Sequence, residues 1–278
     1  MFTLNCKGRL LTIDKPIVMG IINATPDSFY AGSRHTGTDA ILTQAEEMIK
    51  AGATILDIGG QSTRPGSSNI SAEEELKRVI APVAAVSKAF PSVFISIDTF
   101  YSRVAKEASA AGASLVNDIS AGSLDKDMIK TIAELGLPYV LMHMKGTPQD
   151  MQKDPRYEDV TREVLDFFIQ QITALRKAGI HDIIFDPGFG FGKTIAHNFE
   201  LLRNLAVFKM LEGPVMVGLS RKSTISITLG VTVEETLNGT TVLNTISLLN
   251  GASLLRVHDV KAAVEAVKLF VAYHGAGN

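Results

Sequence analysis

The sequence predicts an α/β protein, a (β/α)8 TIM barrel with a short N-terminal β-hairpin, on three observations. Short β-branched runs alternate with amphipathic stretches along almost the whole chain. A polar residue stands where nearly every run ends, and these ends recur at about 33 residues per step, the length of one βα unit. Several amphipathic stretches close on Ala-Gly or Asn-Gly, where glycine takes the left-handed position that stops a helix.

Met1–Lys15 precedes the first long apolar run and is expected to form the hairpin, capping the bottom of the barrel. The expected strands are Ile17–Ile22, Thr54–Ile58, Val93–Ile97, Ser114–Val116, Tyr139–Met142, Ile183–Phe185, Pro214–Gly218 and Ser253–Arg256. Between them the clearest helices are Thr38–Ala51, Ala72–Ala89, Ser102–Ala111, Val160–Ala178, Val233–Asn250 and Val260–Ala272. Their stops lie at Ala51-Gly52, Ala111-Gly112, Ala178-Gly179 and Asn250-Gly251. No Pro/Ser tract, charge block or low-complexity stretch interrupts the pattern, so residues 1–278 are expected to form one domain. A doubly wound open sheet is the structural competitor, but it needs fewer evenly spaced units than occur here.

Composition narrows the function. With 27 Lys+Arg against 29 Asp+Glu the formal charge is -2, which excludes binding by general attraction to nucleic acid or anionic lipid. Hydrophobic residues make up 46% and charged residues 20%, enough for a large core and unlike a disordered chain. The single cysteine, Cys6, excludes a disulfide framework and a Cys-based zinc site. No apolar run approaches the length of a membrane span, and no basic segment leads into an apolar stretch at the N-terminus. A soluble, cytoplasmic protein is expected.

Active sites of such barrels are built at the C-terminal ends of the strands. Asn23, Asp98, Asn117-Asp118, Asp186, Lys222, Arg256 and His258 all fall there. Any one alone could be a helix cap or a loop hydrogen bond, and that reading is preferred for Asp57, Asp118 and Asp259. Lys222, Arg256 and His258 follow the last two strands, the usual phosphate corner of the fold. Arginine offers a fork to phosphate oxygens and histidine a further donor. The alternative there is an ion pair to Asp259 or Asp57. On the other side of the mouth, Asp98, Asn117 and Asp186 supply acceptors and one amide, a set suited to a flat heterocycle with a guanidine-like N–H edge. Gly188-Phe189-Gly190-Phe191-Gly192-Lys193 matches neither a Walker A loop nor a dinucleotide fingerprint, and is expected as a close-approach loop with Phe191 as an aromatic wall. No Gly-x-Ser-x-Gly elbow is present, which disfavours Ser-His-Asp hydrolysis. Two long loops rich in Gly, Pro and Ser, Ala24–Ser33 and Gly59–Ser68, have the composition of lids over a barrel mouth.

Five motifs carry a family resemblance. Met19-Gly20-Ile21-Ile22-Asn23-Ala24-Thr25-Pro26-Asp27-Ser28-Phe29, Asp57-Ile58-Gly59-Gly60-Gln61-Ser62-Thr63-Arg64-Pro65-Gly66, Asp186–Lys193, Ser220-Arg221-Lys222-Ser223 and Arg256-Val257-His258-Asp259 resemble the dihydropteroate synthase family of pterin-binding enzymes. They run in the family's order from about residue 17 to 260. The resemblance implies a transferase of folate synthesis that joins 6-hydroxymethyl-7,8-dihydropterin pyrophosphate to p-aminobenzoate, and a sulfonamide target. It implies that Asp98, Asn117, Asp186 and Lys222 hold the pterin, with Met142, Phe191 and Gly218 beside it. Asn23, as metal ligand, with Thr63, Arg256 and His258 would hold the pyrophosphate and Mg2+. Thr63, Arg64, Pro65, Lys222 and Ser223 would line the p-aminobenzoate pocket. Lys222, Arg256, His258 and Asp27 are the expected catalytic residues, and a homodimer is the expected assembly, with the helices around Val233–Asn250 and Val260–Ala272 as its face. A methyltetrahydrofolate-presenting module would share the heterocycle set but has no use for Thr63-Arg64, Lys222 or the Arg256/His258 pair. A non-catalytic pterin-binding paralogue is the other alternative.

One departure carries a prediction. The family usually places a second Asp after Pro-Asp-Ser-Phe, in a Ser-Asp-Gly-Gly context, where this chain has Tyr30-Ala31-Gly32-Ser33. Either Asp27 alone carries the electrostatic task of that loop or the second carboxylate is dispensable, and the first is favoured. Asp27→Ala is then expected to lower turnover about 10²-fold, roughly 2.7 kcal/mol, and Ala31→Asp to recover part of the loss. Normal turnover of Asp27→Ala at saturating Mg2+ would leave the loop a mere cover.

Overall fold

The computed structural model describes residues 1–25, 34–61 and 69–276. The chain opens with strands β1 (Phe2–Cys6) and β2 (Arg9–Ile13), an antiparallel pair with Phe2 opposite Ile13 and Cys6 opposite Arg9. Alternation places Leu4, Cys6, Leu11 and Ile13 on one buried face. That face packs on the lower layer of the barrel interior, made by Ile17, Met19, Ile55, Leu115, Val140, Ile184, Met216 and Leu254. The hairpin therefore plugs the barrel bottom, as expected.

The barrel strands are β3 (Ile17–Asn23), β4 (Ile55–Gly59), β5 (Phe94–Asp98), β6 (Leu115–Asp118), β7 (Tyr139–Met142), β8 (Ile183–Asp186), β9 (Met216–Val217) and β10 (Leu254–Val257). They form an eight-stranded sheet in the order β8-β7-β6-β5-β4-β3-β10-β9, with every pair parallel. A parallel bridge between Phe185 and Val215, with the Phe185 amide donating to the Pro214 carbonyl at 2.9 Å, joins the two ends and closes the barrel. Strands buried on both faces read as continuous apolar runs rather than alternating ones, which is why Ile17–Asn23 is buried almost throughout.

The helices are α1 (Arg34–Lys50), α2 (Ala72–Ala89), α3 (Ser102–Ala111), α4 (Met128–Leu135), α5 (Val160–Lys177), α6 (Ile195–Arg203), α7 (Ser223–Leu229), α8 (Leu237–Leu249) and α9 (Val260–Gly275). Side-chain caps start several of them: Ser71 accepts from the Glu74 amide ahead of α2, and Asp159 from the Arg162 amide ahead of α5. The four predicted stops hold, with Gly52, Gly112, Gly179 and Gly251 at φ of 104, 123, 92 and 100°. Helices α4, α6 and α7 add to the six that periodicity picks out. At eight, nine and seven residues they are too short for a helical period to stand out. The expected helix Val233–Asn250 begins instead with a 3₁₀ turn, Glu234–Thr236, before α8. Among the described residues, no helix is long and apolar enough to cross a membrane.

Candidate active site

Register aligns the functional side chains. Asn23, Gly59, Asp98 and Asn117 are successive partners across β3, β4, β5 and β6, and Met142 pairs with Asp186 across β7 and β8. All stand at the C-terminal mouth, where this fold places its chemistry.

The centre of the mouth is a charge cluster around Arg256. Its Nε donates to Asp57 Oδ2 at 2.7 Å and its Nη2 to Asp98 Oδ2 at 2.6 Å, while Asn117 Nδ2 donates to the same Asp57 oxygen at 2.9 Å. Burial works against the Arg256 charge, but Asp57 and Asp98 outweigh it and raise its pKa. Burial pushes the Asp98 carboxyl up to about 7; Arg256 pulls it back and Asp57 adds to the rise. Asp57, expected as a cap or loop residue, is instead fully buried in the middle of β4 and ties Asn117 to Arg256. The expected strand Thr54–Ile58 already carries Asp57, but spacing along the chain does not show that Asn117 and Arg256 meet it from other strands. The ion pair to Asp57, held open as an alternative for Arg256, is thus realised, and Asp98 joins it. Nη1 is the guanidinium nitrogen not used in these bonds.

Asp118 and Asp259 have the structural roles expected of them, with one correction. Asp118 accepts from Ser120 N and Oγ, each at 2.7 Å, from Gly122 N at 2.8 Å and from the Tyr139 hydroxyl at 2.7 Å. Asp259 stands at the start of α9 but makes no side-chain cap; it pairs with Arg221 at 2.6 and 2.9 Å.

Beyond the Arg256 cluster lie Asp186 and Lys222. Asp186 is buried and accepts the Gly188 amide at 2.8 Å. Burial raises its pKa against the pull of Lys222, the Gly188 amide, Arg256 and Lys193. Lys222 precedes α7, donates from Nζ to the Phe189 carbonyl, and sits 4.7 Å from the Phe191 ring centroid. Burial lowers it to about 8, with Asp186 and Asp98 pulling upward and Arg256 downward. At Gly218 an added Cβ would lie 3.9 Å from Lys222 Nζ and 4.0 Å from Arg256 Cβ, so this glycine leaves open the space between the Lys222 ammonium and the base of the Arg256 side chain. Met142 and Phe191 join Phe100, Ile119, Tyr101 and Met144 in an apolar wall.

His258 follows β10; its amide donates to Ser220 Oγ at 3.2 Å, and its Nδ1 lies 3.1 Å from the same oxygen. Ser223 opens α7 and is exposed, and Asn23 ends β3 half-buried. The structure therefore gathers Asp98, Asn117, Asp186, Lys222, Arg256, Met142, Phe191 and Gly218 into one connected cluster. Asn23, His258 and Ser223 reach the mouth by their places in the fold. Asp27, Thr63, Arg64 and Pro65 lie outside the described residues.

A parallel barrel with two cations, the three carboxylates of Asp57, Asp98 and Asp186, and an amide at its mouth defines a class that comparison identifies. Residues 19–258 match the family model described as pterin binding enzyme, and the chain belongs to that family. Curated relatives named dihydropteroate synthase match it over nearly its whole length. It is 46% identical to the Escherichia coli K12 dihydropteroate synthase over 265 residues, covering 95% of this chain and 93% of that one. Against the Haemophilus influenzae dihydropteroate synthase it is 41% identical over 271 residues, covering 97% and 98%. The crystal structure of Yersinia pestis dihydropteroate synthase with a sulfonamide drug superposes at TM-score 0.93, with 42% identity over 99% of this chain and all of that one. The Xanthomonas albilineans enzyme in complex with 7,8-dihydropteroate superposes at 0.89, with 39% identity over 99% of each chain.

Proposed function

We propose that this chain is a transferase of folate biosynthesis, condensing 6-hydroxymethyl-7,8-dihydropterin pyrophosphate with p-aminobenzoate to give 7,8-dihydropteroate and pyrophosphate. The observation that carries the reading is the mouth itself: the Arg256 guanidinium lies on the Asp98 carboxylate and, through Asp57, beside the Asn117 amide, with Asp186 and Lys222 next to them.

In this reading Asp98, Asn117 and Asp186 meet the N–H edge of the pterin, which lies against Met142 and Phe191. Arg256, His258 and Thr63 face the pyrophosphate. The CH2–O bond breaks with its electron pair leaving on pyrophosphate, and the electron-rich ring stabilises the remaining cation. The arylamine nitrogen then forms the C–N bond and releases a proton. The amine is neutral at pH 7, so the site needs no strong base; Thr63, Arg64, Pro65, Lys222 and Ser223 serve by placing it behind the carbon. Arg256 and His258 offset charge developing on the leaving group.

The described donors suit Mg2+ as an ion shared with the substrate. Among the described residues no three His, Cys, Asp or Glu side chains gather to hold a metal. Asn23 offers a hard amide oxygen at the rim, which suits an ion otherwise bound by phosphate oxygens and water. Held there, the ion would supply positive charge to offset that of the pyrophosphate.

The same reading takes the chain as one barrel domain working in the cytoplasm as a homodimer. Support for the dimer comes from α8, where Val242, Ile246 and Leu249 recur on one face and are exposed, and from exposed Leu269, Val271 and Tyr273 on α9. Sedimentation is expected to show two copies, and Ile246→Glu to give a folded monomer.

Two further measurements bear on the site. Calorimetric titration with pyrophosphate and Mg2+ is expected to show saturable binding; a chain that binds pterin but no pyrophosphate would be a binding module and not the enzyme. Because burial lowers Lys222 to about 8, affinity for the pterin is expected to fall as pH rises through 8, where Lys222 loses its charge. Lys222→Arg should move that limb upward, and an unmoved limb would assign it elsewhere.

A further inference from the structure

The Gly-x-Gly-x-Gly-Lys run ends in a lysine that a phosphate-loop reading would turn toward an anion, yet Lys193 is turned inward. It is 2% exposed, and Nζ lies 2.9 Å from the Gly188 carbonyl, 3.1 Å from the Phe191 carbonyl and 2.9 Å from His143 Nδ1. The His143 carbonyl stands farther off at 3.4 Å. A protonated Lys193 carries three N–H donors and no acceptor, so in that state these three close partners fill it and Nδ1 is the unprotonated ring nitrogen. Burial, with Lys193 and Lys145 nearby, holds His143 neutral by pushing its pKa down to about 2.

The lysine thus ties the 188–192 loop to the segment that begins at His143, and the two backbones touch. A Cβ on Gly188 would lie 1.9 Å from the His143 carbonyl, and one on Gly192 would lie 2.2 Å from the Lys145 carbonyl. The Tyr157 hydroxyl adds a second tie, donating to the Gly192 carbonyl at 2.8 Å. What this loop carries is the pterin side of the mouth: its Gly188 amide holds Asp186, its Phe189 carbonyl holds Lys222, and its Phe191 ring lies beside that ammonium.

We propose that Lys193, seconded by Tyr157, is the positioning residue of the pterin pocket, an internal cation whose chelated carbonyls set Asp186, Phe191 and Lys222 without touching substrate. The inference rests on the pterin reading of the mouth. A loop held this way needs no ligand to order it, so the pocket is preformed and the ordering cost is met in folding.

The test is a split in affinities. Lys193→Met keeps the stem and removes charge and donors. Burial lowers Lys193 to about 7, so binding is measured by calorimetry at pH 6.5, where the wild-type residue is protonated. The probes are 6-hydroxymethylpterin and, separately, inorganic pyrophosphate with Mg2+. Pterin Kd is expected to rise about tenfold or more, with pyrophosphate Kd unchanged within about twofold. Tyr157→Phe, a milder change, should show the same split at about threefold, and it decides the matter if Lys193→Met does not fold. Folded variants with wild-type pterin affinity, or with both affinities falling together, would overturn the inference alone. A wild-type protein that binds no pterin would overturn it together with the proposed function.

Discussion

Arg256→Ala is expected to destabilise the folded protein by about 3–5 kcal/mol, because it strips the shared counter-ion from two buried carboxylates. Asp57 and Asp98 hold the guanidinium at 2.7 and 2.6 Å, and the three side chains are only 0%, 11% and 19% exposed for Asp57, Asp98 and Arg256. The loss should depend on pH, with a definite sign. Asp98 titrates at about 7 when folded against an ordinary value of 3.8, so the folded state keeps a proton that the unfolded chain has released, and stability falls as pH rises across that interval. Arg256 is the group that pulls Asp98 downward, so its removal raises the carboxyl further and extends the interval upward. Urea unfolding should therefore show a larger deficit at about pH 8 than at about pH 5. Equal deficits would mean that the carboxylates find other partners. In binding, the variant should lose chiefly pyrophosphate-bearing ligands; loss of p-aminobenzoate with pyrophosphate spared would contradict the map of the mouth.

The second large effect is expected at Asp186. Asp186→Asn turns an acceptor into a donor facing N–H groups, and it does so in a buried site where neither can turn to water. The cost to pterin binding should be about 3–4 kcal/mol, between two and three powers of ten in affinity. Folding should suffer less, because Asn keeps an oxygen for the Gly188 amide, which the carboxylate accepts at 2.8 Å. Calorimetry with a pterin ligand measures the loss, and near-normal affinity would remove Asp186 from the pterin edge.

The barrel was legible in sequence because its signal is local and repeated. Each strand is a short apolar run, the four helix stops marked by Ala-Gly or Asn-Gly are glycines with positive φ, and the units recur at even spacing. The polar strand ends were legible for the same reason, since a barrel collects them at one mouth whatever their partners are. What spacing could not supply is pairing between distant strands. Asp57 and Arg256 lie 199 residues apart, and no period links a mid-strand carboxylate on β4 to a guanidinium on β10. Lys193 shows the same limit in another form. Its glycine-rich motif invites an anion-loop reading, and only the fold reveals that its donors are already filled by the His143 ring nitrogen and two carbonyls of its own loop. Short helices such as α7 escaped because one or two turns give too few apolar positions to establish a period.

The measurement that tests the central claim most directly is turnover of the purified protein with both substrates. Incubated with 6-hydroxymethyl-7,8-dihydropterin pyrophosphate, p-aminobenzoate and Mg2+, it should form 7,8-dihydropteroate, resolved by chromatography, with one pyrophosphate released for each. Pyrophosphate released without the C–N bond, leaving only the hydroxymethyl pterin, or no consumption of either substrate, would contradict the account.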